Sequence, residues 1–171
     1  MKKLLSAAAF LIMFAGIASA QTKFTSAYTS LYKACQTLRG ENGTDDAFVC
    51  KGVGGYQVRI YSSAATLQIN AELTGKDELF PLATLDFSFN ESKSRVEWRM
   101  ANGKPFAVIL RVPRYAAPAE TDLYFGKVVG EALIVRGLKG YGSINDEVDA
   151  KTPGANVKAR EIADKAFASG K

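Results

Sequence analysis

The sequence predicts a single antiparallel β-rich domain, a sandwich or partly open barrel, with a C-terminal helix packed against it. Three observations predict it. Apolar and polar residues alternate with period two through much of residues 56–89, the mark of half-buried strands. Asn102-Gly103 lies between two strand-like runs as a hairpin turn. After Thr152 the apolar spacing becomes that of a helix.

The chain opens with Lys2 and Lys3, an apolar run over residues 4–17, and the small-residue exit Ala18-Ser19-Ala20. This pattern predicts a signal peptide over residues 1–20, cleaved between Ala20 and Gln21, and a periplasmic or secreted mature protein. The run is shorter than the roughly 20 apolar residues of a transmembrane span, and no cysteine follows the exit to accept a lipid. A retained, uncleaved anchor is the alternative.

Residues 21–39 carry apolar side chains at mixed spacings and read as a short helix or an irregular arm pinned by Cys35. Residues 40–46 are a loop by composition. Asn42-Gly43-Thr44 and Asn90-Glu91-Ser92 match the glycosylation sequon, a pattern short enough to arise by chance. Strands follow on Tyr56/Val58/Ile60, Leu67/Ile69/Ala71/Leu73 and Ala83/Leu85/Phe87/Phe89, with turns at Ser62-Ser63 and residues 74–77. Folding about Asn102-Gly103 sets Trp98 opposite Ala107 and Val96 opposite Ile109 on the core face. Phe106, Val108 and Leu110 then oppose Arg99, Glu97 and Arg95 on the other face. The returning strand is apolar on both sides, which predicts a central strand with a second cover. Further strands are expected over residues 122–125, 128–135 and 143–148. Thr152 reads as an N-cap and Pro153 as the first position of a helix over residues 153–168. Its stripe of Ala155, Ala159, Ile162, Ala163, Ala166 and Phe167 is the natural cover for Phe106, Val108 and Leu110.

Composition excludes several function classes. Lys and Arg total 22 against 17 Asp and Glu, and two of the lysines belong to the leader. The remaining cations are scattered rather than gathered on a stripe, which argues against nucleic acid. Cys35 and Cys50 are the only cysteines, and export predicts a disulfide between them. A loop of that length is worth about 3 kcal/mol in the chain-entropy model. A redox pair in the usual Cys-x-x-Cys spacing is absent, and no histidine is present to complete a zinc site. Lack of histidine also removes Ser-His-Asp and Cys-His catalysis. Neither a cofactor nor a metal is expected, and no catalytic residue is assigned.

Gly52-Val53-Gly54-Gly55 leads into a strand rather than a helix, so it reads as a tight bend beside Cys50 and not as a phosphate loop. Asp86, Glu97 and Glu131 are carboxylates that could serve a hydrolase if two of them faced each other across a sugar-sized gap. Arg111, Arg114 and Tyr115, with Lys139 and Tyr141, set cations beside aromatics in expected loops and form the candidate binding residues. The competing reading has Arg111 and Arg114 solubilising a strand end and Tyr115 closing the core.

Residues 50–58 (Cys-Lys-Gly-Val-Gly-Gly-Tyr-Gln-Val), Val96-Glu97-Trp98-Arg99, residues 103–111 and residues 159–164 together carry a resemblance. The chain resembles a group of small exported proteobacterial proteins of unassigned function. The resemblance implies export and a compact β-rich domain, and it brings no site residues. The function expected is non-enzymatic binding of a protein or an acidic envelope polymer, inhibition of a secreted enzyme being one form. The alternative is a carboxylate-based envelope hydrolase.

Overall fold

The computed structural model describes residues 22–39, 46–62, 65–89, 94–120, 122 and 124–170. The leader, both sequons and the expected Ser62-Ser63 turn fall wholly or partly outside the described residues. Among the described residues ten strands and one helix follow in order: β1 Phe24–Ser30, β2 Cys35–Arg39, β3 Asp46–Lys51, β4 Tyr56–Ser62, β5 Thr66–Leu73, β6 Leu79–Asp86, β7 Arg95–Ala101, β8 Lys104–Tyr115, β9 Val128–Gly137, β10 Asn145–Asp149 and α1 Ala155–Ala168. They form two five-stranded antiparallel sheets, ordered β1-β7-β8-β9-β10 and β2-β3-β4-β5-β6. Both sheets are open, and the helix packs on the outer face of the first. Among the described residues no helix is long and apolar enough to cross a membrane.

Of the segment expected as a helix or an irregular arm, the described residues 22–39 are neither. They hold β1 and β2, which belong to different sheets. β1 is an edge strand of Ser, Thr and Tyr whose sequence shows no clean alternation, because only one neighbour, β7, constrains it. At β2 the chain enters the second sheet, where Cys35 and Cys50 are direct cross-strand partners joined by a disulfide. The glycine run after Cys50 makes the β3–β4 turn. The Tyr56 N–H donates to Val53 O at 3.1 Å, and Gly54 and Gly55 have φ of 62° and 85°. A Cβ on Gly52 would lie 2.3 Å from Tyr56 O and 2.9 Å from the Trp98 ring, so the chain passes too close there for any side chain.

Two cores result. Between the sheets, Val58, Ile60, Leu67, Ile69, Leu82 and Leu85 meet Val96, Trp98, Met100, Val108, Leu110, Val112 and Ile134. Trp98 is wholly buried, and its Nε1–H donates to Thr29 Oγ1 at 2.8 Å. Beneath the helix, Ala107, Ile109, Leu133, Val135 and Val148 meet Ala155, Ala159 and Ala163. Three alanines four residues apart leave one helix face without bulk, which lets the helix axis approach the sheet closely.

The hairpin turns as expected at Asn102 and Gly103, with φ of 50° and 81°. Its register differs by one residue from that expected. Met100 pairs with Pro105, but Arg99 pairs with Ala107, so Phe106 is an extra residue bulged out of β8. Beyond the bulge Trp98 faces Val108 and Val96 faces Leu110, both inside the sandwich. The helix accordingly covers Phe106, Ala107 and Ile109 rather than Phe106, Val108 and Leu110.

Two further expectations are corrected. Residues 122 and 124–127 form no strand. Asp122 instead closes a loop on Ala119, donating its N–H to the Ala119 carbonyl and accepting the Ala119 N–H on its carboxylate, both at 2.9 Å. The helix starts at Ala155, after Gly154 in the left-handed region, and no side chain caps it. Thr152 lies too early to cap it: Gly154 holds the N-cap position, and the Thr152 carbonyl accepts the Ala155 N–H at 3.0 Å in the turn leaving β10.

The Phe167 ring locks the far end of the helix, 4.7 Å from Phe106, 5.2 Å from Tyr141 and 5.6 Å from Phe24 between centroids. Phe167→Ala is expected to cost about 2–3 kcal/mol in urea unfolding, given its partial burial. Val157→Ala, on the exposed side of the helix, should change stability by less than about 0.5 kcal/mol. Equal effects from the two would show that this end of the helix does not pack on Phe106.

Candidate functional site

The helix covers only part of the first sheet's outer face. Alternation along the strands carries the uncovered part on Tyr28 of β1, Arg95 of β7, Arg111 and Pro113 of β8 and Glu131 of β9, with the buried Glu97, Ile109 and Leu133 at the edge of the helix's cover. Together with Asn156 and Arg160 of α1, and with Ser88, Phe89 and Tyr115 at the sandwich end, they line a groove of about 620 Å³. That volume falls within the range of small-ligand sites.

One wall is built of charge. Arg160 donates from Nε to Glu97 Oε1 at 2.6 Å and from Nη2 to the Tyr28 hydroxyl at 2.9 Å. Glu97 also accepts from Ser26 Oγ at 2.5 Å, and Ser26 Oγ accepts from Arg99 Nη1 at 3.0 Å. Arg99 then grips Asp164 with two parallel hydrogen bonds of 2.7 and 2.6 Å. The hydrogen bond to Glu97 holds the Arg160 guanidinium above its ordinary pKa. Two helix residues one turn apart are thus tied to two residues of one strand face, and the buried charges are paired. Farther along, Arg111 Nη1 meets Glu131 Oε2 at 3.1 Å, with both side chains roughly half exposed.

Arg95 differs. It is exposed and has no ion-pair partner among the described residues. Val96 pairs with Leu110, which sets Arg95 opposite Arg111 at the end of that ladder. Like charges directly opposite on neighbouring strands are unfavourable. The groove therefore contains two adjacent cations, one of them uncompensated among the described residues.

The expected binding residues divide between distant places. Arg111 and Tyr115 line the groove. The Tyr115 hydroxyl accepts from the Asp86 N–H at 3.1 Å, and burial raises its pKa. Arg114 pairs with Glu147 at 3.4 Å and Asp149 at 3.3 Å. Val148 between them packs under the helix, so this triad projects from the opposite face. Lys139 Nζ binds Glu78 at 2.7 Å. Tyr141 is packed against Phe106 and Phe167 in the helix core. Phe106 and Tyr115 lie nine positions apart along β8, about 30 Å of extended strand, so the two loop groups do not form one patch.

The carboxylates are also apart. Glu97 and Glu131 stand two strands apart, about 10 Å across the sheet, and four residues apart along it, about 13 Å. That exceeds the spacing of about 5–9.5 Å that glycoside hydrolysis requires. Asp86 accepts two hydrogen bonds from Ser88, which lower its pKa. Among the described residues no group of three or more His, Cys, Asp or Glu could hold a metal ion.

Arg95, Glu97 and Arg99 are visible in the sequence as alternating charges on one strand face, and Arg160 as a cation flanking the alanine stripe. What the sequence does not show is that the helix sets Arg160 over Glu97. Glu97→Gln should destabilise the fold by about 1–3 kcal/mol in urea, because it leaves the partly buried Arg160 without its charge partner. Glu131→Gln, on an exposed pair, should cost less than about 0.5 kcal/mol. Equal costs would show that the helix clasp is no stronger than a surface pair. No family model, curated protein or solved structure matches this chain.

Proposed function

We propose that this is an exported, non-catalytic binding protein of an oxidising extracytoplasmic compartment, and that it takes an acidic ligand in the groove beside α1. The disulfide between Cys35 and Cys50 supports the compartment, since such bonds persist where thiols are not kept reduced. The observation that carries the binding reading is Arg95, a guanidinium with no ion-pair partner among the described residues, beside Arg111 in a groove of about 620 Å³. An acidic group placed between them would relieve a like-charge contact and accept paired hydrogen bonds. The hydrolase alternative loses support from the distance between Glu97 and Glu131 and from the arginine that each already holds.

Amide chemical-shift mapping of the mature protein with a panel of carboxylates, phosphate esters and polygalacturonate tests the proposal. At least one anion should shift residues 95, 97, 109, 111, 131 and 160 together. Arg95→Ala combined with Arg111→Ala should abolish those shifts with little change in melting temperature, since both side chains are exposed. A panel in which no anion moves the groove residues, or hydrolysis of any member lost on Glu97→Gln, would contradict it.

A further inference from the structure

Resting on the reading of the groove as an anion site, we infer that its ligand is a small amphipathic monoanion: one carboxylate carried on an acyl or aromatic body. Charge decides the first part. The lining holds three cations, Arg95, Arg111 and Arg160, and two anions, Glu97 and Glu131. Arg160 is engaged by Glu97 at 2.6 Å and Arg111 by Glu131 at 3.1 Å. Among the described residues one positive charge remains for a ligand. An acidic polymer would lay several charges along the groove and meet Glu131 after the first, so the sign pattern rejects it.

The apolar lining decides the second part. Ile109 and Leu133, each 3% exposed beneath the helix, reach only the edge of the floor, and the partly buried Phe89 and Tyr115 close the sandwich end. On the rim, Tyr28 is 51% exposed and Val128 62% exposed. Apolar side chains left open around a concave site, with one convergent charge, are the arrangement of a pocket for a small organic acid. A ligand that seats its carboxylate at Arg95 would lay its body toward the exposed apolar rim, where a small inorganic anion would leave those side chains wet.

Titration calorimetry with decanoate, decanol and polygalacturonate on the mature protein, read beside amide shifts, tests the inference. Decanoate should bind in the groove, and decanol at least about tenfold more weakly. Arg95→Ala should weaken decanoate roughly ten- to hundredfold, as loss of a charge-assisted hydrogen bond does, while leaving decanol unchanged. Val128→Ser should weaken both. Equal affinity for decanoate and decanol, or decanoate affinity unchanged in Arg95→Ala, would overturn the inference. If polygalacturonate shifts the groove residues and decanoate does not, the groove is an anion site and the amphipathic ligand is wrong. If no anion shifts them, both readings fall.

Discussion

The structure depends on β8 being buried on both faces, and on the single extra residue that decides which side chain faces which layer. A strand covered on one side needs only alternation. A strand covered on both sides needs a register, because a slip of one residue exchanges its entire inner and outer sets. The bulge at Phe106 sets that register. It sends Val108, Leu110 and Val112 into the sandwich and Ala107 and Ile109 under the helix. It also places Arg111 on the outer face, just past the helix's cover, where it meets Arg95.

The groove follows from this geometry together with the helix clasp. A fourteen-residue helix spans about 21 Å, too little to cover the whole outer face of a sheet whose central strand has twelve residues, about 40 Å. Its alanine stripe brings the axis close to the sheet, and Arg160 and Asp164 reach back to Glu97 and Arg99. The same Arg160 that fastens the helix becomes a wall of the open half. Packing, electrostatics and the candidate site are thus one construction, and only Arg95 stands outside its internal pairing among the described residues.

Much of this was legible in the residues. The period-two runs of β4 and β5, the Asn102-Gly103 turn, the bend at Gly52-Val53-Gly54-Gly55 and the disulfide between Cys35 and Cys50 stand where sequence reasoning expects them. So does the inference that a strand apolar on both sides is central, since β8 is the middle strand of its sheet. β1 was hidden because an edge strand of Ser, Thr and Tyr has one neighbour and little demand for alternation. The bulge was hidden because Phe106 and Ala107 are both apolar, and nothing local shows that both turn toward the helix. Of the candidate binding residues, Arg111 and Tyr115 reach the groove. Tyr141 sits in a loop by sequence, yet its ring fills the space between Phe106 and Phe167. Groove residues come from β1, β7, β8, β9 and α1, and only the tertiary fold collects them.

Register is the point on which sheet, helix and groove all turn, and interstrand backbone NOEs measure it directly. The account predicts contacts that pair Trp98 with Val108 and Val96 with Leu110 across β7 and β8. Contacts pairing Trp98 with Ala107 and Val96 with Ile109 would remove the bulge, exchange the two faces of β8, and contradict it.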